Sequence, residues 1–127
     1  MREEPESITL MRYIMREAIE RVLDSMREDY CRWNRSGRDI NEKILSDMER
    51  DYCEGLEITE GSRYFKIISD KRNSRSVCGF IAKAGDKKFR EGDMLKAAGW
   101  NAPARNFARG NVLDGTGVDT VRWTGIG

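Results

Sequence analysis

The sequence predicts an α+β fold, in which an N-terminal pair of α-helices packs on a C-terminal, mainly antiparallel β-sheet with one short extra helix. Apolar residues recur every three or four positions through residues 8–33 and 40–52, a spacing typical of amphipathic helices. Aromatic and β-branched residues concentrate at 64–68 and 77–81, as is typical of strands. The chain has 127 residues, enough for one hydrophobic core, so we expect a single domain over residues 1–127.

The first predicted helix begins near Ser7, whose side chain can cap a helix N-terminus. It ends before Gly37, because glycine readily takes the left-handed conformation in which many helices stop. The apolar face of this helix is longer than a small sheet can cover, so a homodimer is a further expectation. The members of that face are Ile8, Met11, Met15, Ala18, Val22, Met26, Tyr30 and Trp33.

The second predicted helix begins at Asp39, where Glu42 three positions later fits a capping box. Residues 57–61 are then predicted to form a boundary that ends in a turn and that separates a helical part, 1–61, from a sheet-rich part, 62–127. The face of this helix that we expect to be buried carries Ile40, Ile44, Met48 and Tyr52.

The sheet-rich part is predicted to begin with an antiparallel hairpin, whose strands at 64–68 and 77–81 flank a polar turn at 70–75. Asp93 can cap a short helix over residues 94–98 that stops at Gly99. A last strand is predicted at 118–124, where Trp123 would place its indole against the sheet.

The net charge of +1 hides an uneven distribution along the chain. Residues 1–61 contain 16 acidic and 10 basic residues, whereas residues 62–127 contain 6 acidic and 13 basic residues. Two explanations remain open. The two parts neutralise each other, within one molecule or a dimer, or each part presents its charge to a partner.

The sequence contains no histidine, which excludes Ser-His and Cys-His catalytic arrangements and nearly all common zinc sites. We therefore expect a protein that is not an enzyme and that carries no cofactor. No run of residues approaches the ~18 apolar residues of a membrane span, and the first residues do not resemble a signal peptide. The three cysteines form no Cys-x-x-Cys motif, so we expect free thiols in a reducing cytoplasm.

Two groups of residues have ligand types that suit a metal. Asp86, Glu91 and Asp93 cluster near a turn and could bind a divalent cation through oxygen, although turn formation and capping explain them more simply. Cys31 and Cys53 take matching positions in a short internal repeat, which would suit a metal or disulfide pair. Buried free thiols are the more usual outcome for such cysteines.

Residues 100–111 have the composition of a binding surface. The segment has no acid, two arginines, three asparagines and two aromatic residues, separated by small residues. Guanidinium groups suit phosphate or carboxylate, aromatic faces can stack on a base, and small residues let a ligand approach backbone N–H groups. The candidate ligand- or partner-binding residues are Lys96, Trp100, Asn101, Arg105, Asn106, Phe107, Arg109 and Asn111.

A structural role for the same segment is the alternative. Arg105 and Arg109 could pair with the acidic helices of the first part, while Trp100 and Phe107 anchor the loop to the core. The sequence contains no phosphate-binding Gly-Lys-Ser/Thr motif and no Gly-x-Gly-x-x-Gly motif after a strand.

The sheet-rich part, residues 62–127, also resembles a group of small uncharacterised proteins encoded by tailed bacteriophages. The resemblance does not extend to the helical part. It rests on Tyr64-Phe65-Lys66-Ile67, Val77-Cys78-Gly79-Phe80, Phe89-x-x-Gly92-Asp93-Met94-Leu95-Lys96-Ala97-Ala98, Trp100-x-Ala102-Pro103-Ala104, Ala108-Arg109-Gly110-Asn111 and Trp123-Thr124-Gly125.

The resemblance implies a phage product that works in the cytoplasm of a host bacterium, where small accessory proteins commonly bind a host factor. We therefore predict a non-enzymatic protein that binds and inhibits or regulates a host bacterial factor, such as a defence system. The alternative is nucleic-acid or nucleotide binding through residues 100–111. No contact with a membrane is expected in either case.

Overall fold

The computed structural model describes residues 6–37, 39–71 and 73–127, and it confirms the predicted α+β class. The elements are α1 Glu6–Arg35, α2 Glu42–Gly55, β1 Leu56–Glu60, β2 Tyr64–Lys71, β3 Ser74–Ala82, β4 Met94–Leu95, β5 Ala97–Gly99, β6 Ala102–Pro103 and a 3-10 turn Val118–Thr120. Strands β1 to β4 form an antiparallel sheet in chain order, and β5 pairs with β6 in a separate small sheet.

Helix α1 is buried only from its third turn onward. The predicted face is confirmed from position 15 to position 30, where every expected member lies in the core. The structure differs at both ends, since Ile8, Met11 and Trp33 are each nearly half exposed. Ser7, predicted as the cap, lies inside the helix. In the part of the chain that the structure describes, no helix is long and apolar enough to cross a membrane.

Helix α2 begins at a different cap from the one predicted. The side chain of Asn41, not Asp39, accepts a hydrogen bond from the backbone N–H of Lys43 at 2.8 Å. The buried face is therefore rotated by one position at its start: Leu45 is 6% exposed, whereas Ile44 is 51% exposed. The predicted and the observed buried faces of α2 agree again at Tyr52, which is buried as expected.

Residues 57–61 were predicted as a boundary that ends in a turn, but Leu56–Glu60 forms the edge strand β1 directly after α2. The sequence of this strand alternates, so Leu56 and Ile58 lie towards the helices. Helix α2 can end so close to β2 because residue 55 is glycine. A Cβ atom there would lie 2.1 Å from the carbonyl oxygen of Asp70.

The predicted hairpin is confirmed and is longer than expected. Strands β2 and β3 pair from Tyr64 opposite Ala82 to Lys71 opposite Ser74, with a register shift at Ile67/Ile68. The turn is correspondingly tight, and Asn73 within it takes a positive φ of 65°, a conformation that asparagine tolerates better than most residues.

The short helix predicted at 94–98 is absent from the described structure, where the segment forms β4 and β5. Met94 and Leu95 are both fully buried but on opposite faces of the sheet, in two different clusters of side chains. A helical turn would place adjacent residues about 100° apart and could not insert both side chains at once. The need to bury two faces therefore decides the extended conformation.

The prediction of a strand at 118–124 is also wrong, because this segment forms a 3-10 turn and an irregular tail. Its backbone groups bind the helices instead of a strand. The N–H of Trp123 donates to Asp29 at 2.8 Å, and its carbonyl accepts from the hydroxyl of Tyr52 at 2.7 Å. The indole consequently packs on helix aromatics, with its ring centroid 5.3 Å from that of Tyr30.

Two clusters of buried side chains lie on the two faces of the sheet. The helix-side core joins α1 and α2 to the inward face of β2 and β3 and to the C-terminal tail, with Met15, Ile19, Tyr30, Tyr52, Ile67, Ile81, Val121 and Ile126 among its members. The loop-side core contains Phe80, Ala82, Phe89 and Leu95, with Tyr64, Val77, Ala97 and Ala108 packed around them. The segment that follows β3 therefore covers the face of the sheet opposite the helices.

The rotation of α2 leads to a stability prediction on two adjacent residues. Leu45→Ala should lower the free energy of unfolding by about 2–5 kcal/mol, since it empties a buried site. Ile44→Ala, the matched control on the exposed side, should change it by no more than about 0.5 kcal/mol. Urea denaturation of both variants measures the difference, and equal losses would contradict the observed face of α2.

Candidate functional site

The tip of the β5–β6 hairpin lies over the middle of β2. Trp100 at this tip is 44% exposed. The ammonium group of Lys66 lies 4.9 Å from the centroid of the Trp100 ring and donates a hydrogen bond to Asn101 at 2.9 Å. The guanidinium of Arg75, which also pairs with Glu57, is 5.9 Å from the same ring. Two cationic groups, Lys66 on β2 and Arg75 on β3, thus lie beside an exposed indole.

Arg105 forms a bidentate ion pair with Asp86, with N–O distances of 3.1 and 3.0 Å, and also donates to the hydroxyl of Tyr64. The Asp86 side chain is only 3% exposed. Hydrogen bonds from Arg105 first, and then from the backbone N–H groups of Lys88 and Phe89, hold the pKa of this carboxyl well below its usual range. Arg105 therefore pairs within its own part of the chain and not with the acidic helices.

Arg109 lies in a different environment from Arg105. Its guanidinium donates to the side-chain oxygen of Asn106 at 3.1 Å and to the carbonyl of Phe107 at 2.7 Å. It also stacks 3.9 Å from the centroid of the Phe107 ring, and that ring is 57% exposed. Arg109 and Phe107 thus form a cation–aromatic pair on a loop, supported by Asn106. No carboxylate of a described residue forms a salt bridge with Arg109.

Two other predicted site residues have different positions. Asn111 is 1% exposed, and its amide donates to Asp93 at 2.9 Å and to the carbonyl of Glu91 at 3.0 Å. The buried side chain of Asn111 therefore stabilises the loop and is not accessible to a ligand. Lys96 is exposed, while its backbone carbonyl accepts from Ala104 at 2.7 Å and helps to hold the β5–β6 region.

Two adjoining cavities of about 340 and 360 Å³ share Ser62 and Arg63 in their walls and form a continuous depression beside β2. Five cationic and two acidic side chains line it, and both acids are already ion-paired, Glu60 with Lys83 and Asp86 with Arg105. We call this depression, together with Trp100, which lies beside its wall residue Lys66, the basic groove. Its walls include Lys87, Arg105, Arg63, Tyr64, Lys66 and Asn101.

Sequence reasoning missed the part of the basic groove that β2 contributes. Phe65 and Ile67 lie in the helix-side core, so the alternation of a strand turns Tyr64 and Lys66 to the opposite face. This signal was present in the sequence once the strand was recognised. Arg63 was not predictable in the same way, because it precedes the strand.

The residues considered as possible metal ligands are used in other contacts. Among the described residues, no group of three or more cysteine, aspartate or glutamate side chains is placed to hold a metal ion. Cys31 and Cys53 are free thiols, one on α1 and the other on α2. Burial raises the pKa of Cys31 to about 11, so this thiol stays protonated and weakly nucleophilic at neutral pH.

Part of the uneven charge is neutralised within the molecule. Lys83 of the basic part pairs with Glu60 of the acidic part at 2.7 Å, and this pair lowers the pKa of the glutamate. Arg122 similarly lies 3.6 Å from Asp29 on α1. The cations beside Trp100 remain at the surface.

The chain belongs to the DUF7717 family, a family of unknown function, whose model matches residues 5–125. The match includes both helices and the whole sheet, so it covers the helical part as well as residues 62–127. No curated protein and no solved structure matches the chain. The resemblance to bacteriophage proteins and the cytoplasmic location stay predictions.

The environment of Asp86 predicts a pH dependence of stability. Because folding lowers the pKa of this carboxyl below its unfolded value of about 3.9, its contribution is complete above that value and is lost as the pH falls. Asp86→Asn should therefore lower the melting temperature at pH 7, and its difference from the native protein should shrink below about pH 4. Melting curves between neutral and acid pH measure this. Asp119→Asn, an exposed control, should behave like the native protein, and a pH-independent deficit for Asp86→Asn would contradict the assignment.

The two arginines should differ in their effect on stability. Arg105→Ala leaves the nearly buried Asp86 carboxylate without its bidentate partner, so we expect a lower melting temperature. Arg109→Ala removes a group with surface contacts only and should change the free energy of unfolding by no more than about 0.5 kcal/mol. Equal melting temperatures for the two variants would show that the Asp86 pair is not structural.

Proposed function

We propose that this member of the family is a non-enzymatic protein that binds single-stranded nucleic acid in the basic groove. One observation carries the proposal: the ammonium group of Lys66 lies between an exposed indole, Trp100, and an amide, Asn101, on a concave surface with an excess of cations. These are the group types that contact the phosphates, the base faces and the base edges of a nucleotide chain.

Each part of the basic groove has a defined role in this proposal. Lys66 and Lys87 supply positive charge along the groove for successive phosphates, and Arg63, whose guanidinium also lies 3.4 Å from the Asp86 carboxylate, adds to it. Trp100 supplies the face on which a base stacks, and Asn101 supplies an amide for a base edge or a sugar. Arg105 shapes the groove through its pair with Asp86 and adds little free charge.

The geometry favours single strands over duplexes. Stacking on Trp100 requires a base that has left its own stack, which single strands provide at little cost. Long side chains of the sheet and of the loops beside it form the walls of the groove. Among the described residues, α1 and α2 both pack on the other face of the sheet, so neither helix is placed to enter a major groove from this side. RNA and DNA share the chemistry used here, so the binding experiment compares both.

The interpretation as a phage-type inhibitor of a host bacterial factor stays a prediction. A pull-down from bacterial lysate, with and without nuclease, separates it from the present proposal. A stoichiometric protein partner that is retained after nuclease treatment would favour the host factor, whereas recovery that depends on nucleic acid favours the basic groove.

The binding prediction uses labelled oligothymidine and oligouridine of about 15 nucleotides, a length near the upper site size of a small binding domain. Binding measured by fluorescence anisotropy should weaken with salt, with a log–log slope of about −0.7 for each phosphate contacted. Trp100→Ala should weaken binding by about tenfold or more, since stacking of one base contributes about 1–3 kcal/mol. Lys66→Ala should make the salt slope shallower by about 0.7.

Lys43→Ala on α2 is the matched control, because it removes an exposed lysine remote from the groove. This variant should bind like the native protein. No measurable affinity for either oligonucleotide, an affinity that does not depend on salt, or the same loss in Lys43→Ala and Lys66→Ala would each overturn the proposal.

A further inference from the structure

The first nine residues of α1 lie at the surface of the fold. Every residue from 6 to 14 is exposed, and Met15 is the first buried member of the helix. Five of these nine residues are large and apolar, with exposures between 40% and 63%: Ile8, Leu10, Met11, Tyr13 and Ile14. A helix that is apolar on all sides is normally buried, so this end of α1 has the composition of an interface.

The exposed apolar residues fall into two sets on opposite sides of the helix. Ile8 and Met11 lie towards the protein, where they line a cavity of about 400 Å³ with Phe65. Leu10, Tyr13 and Ile14 have the spacing i, i+3, i+4 and form one stripe on the side away from the sheet. Leu10, Tyr13 and Ile14 remain 57%, 63% and 40% exposed, so packing within the described part of the chain does not cover this second stripe.

We propose that a second copy of the chain covers this stripe, through an antiparallel contact between the two α1 helices with Tyr13 and Ile14 at the two-fold axis. In this register Tyr13 of one copy faces Ile14 of the other. Leu10 packs against the aliphatic stem of Glu17 of the second copy. A two-fold contact of this kind is isologous, so every interaction occurs twice and the assembly closes as a dimer.

The charges flanking the stripe favour this partner and this direction. With Tyr13 and Ile14 at the axis, Glu6 of one copy lies opposite Arg21 of the second copy, and the reverse pair forms on the other side. A parallel arrangement would instead place Glu6 beside Glu6 and Arg21 beside Arg21, which repel. The antiparallel direction also opposes the two helix dipoles. The stripe is thus complementary to itself in one orientation only.

The proposed dimer does not depend on the basic groove. The stripe lies on the side of α1 away from the sheet, and none of the described residues that line the two cavities of the groove belongs to α1. A dimer can therefore form whether or not nucleic acid binds, and failure of one proposal leaves the other intact.

The test measures the mass of the full-length protein by sedimentation over about a hundredfold range of concentration, because the dimer fraction must follow mass action. The native protein should pass from monomer to dimer. Ile14→Glu places like charges at the axis and should weaken the dimer by at least about thirtyfold, the loss expected at the centre of an interface. Ile44→Glu, on an equally exposed apolar position of α2, should leave the dimer unchanged.

A charge exchange tests the register. Glu6→Arg should weaken the dimer through repulsion from Arg21 of the second copy, and the double variant Glu6→Arg, Arg21→Glu should restore it. Circular dichroism confirms that each variant is folded. A native protein that stays monomeric over the whole range, an Ile14→Glu variant that still dimerises, or a double variant that is no better than the single one would overturn the proposal. A monomer that instead captures a different protein through this stripe would also overturn it.

Discussion

Both faces of the β2–β3 hairpin are covered by other parts of the chain, and this requirement determines most of the structure. The helices α1 and α2 cover one face, and the segment after β3 covers the other. Adjacent residues such as Phe80 and Ile81 are therefore both buried, on opposite faces of the sheet. A sheet buried on both faces forces the second half of the chain to fold back over its own strands, and this brings the β5–β6 tip onto Lys66.

The same arrangement decides which basic residues remain at the surface. Arg105 forms an ion pair with the nearly buried carboxylate of Asp86, so the charge of Arg105 is neutralised locally. Lys66 reaches the surface at the edge of that layer and meets an indole and an amide there. The residues that can contact a partner are consequently a mixture of strand and loop residues. Composition alone pointed to the loop because its aromatic and basic residues are adjacent in sequence.

The helices and the hairpin could be predicted from the sequence because their periodicity is local. The errors occur where a contact distant in sequence overrides a local preference. Met94 and Leu95 are extended because they enter two different clusters, and the backbone of Trp123 is bound by Asp29 and Tyr52 before it can join a strand. Within the candidate site, Trp100 and Asn101 were predictable from composition. Which arginine is neutralised could not be predicted, since it depends on a carboxylate 19 positions away.

The link between Asp86 and Arg105 closes a loop whose ends are 19 positions apart and whose interior includes Phe89 and β4. This segment is also held by the pairing of β4 with β3 and by Phe89, Met94 and Leu95 in the two cores, so its contacts open together. Amide hydrogens between these positions should thus exchange with solvent in a correlated manner, as one cooperative folding unit. The surface that carries Trp100 would then be present only while that unit is folded, whereas α1, α2 and the β2–β3 hairpin stay folded when the unit opens.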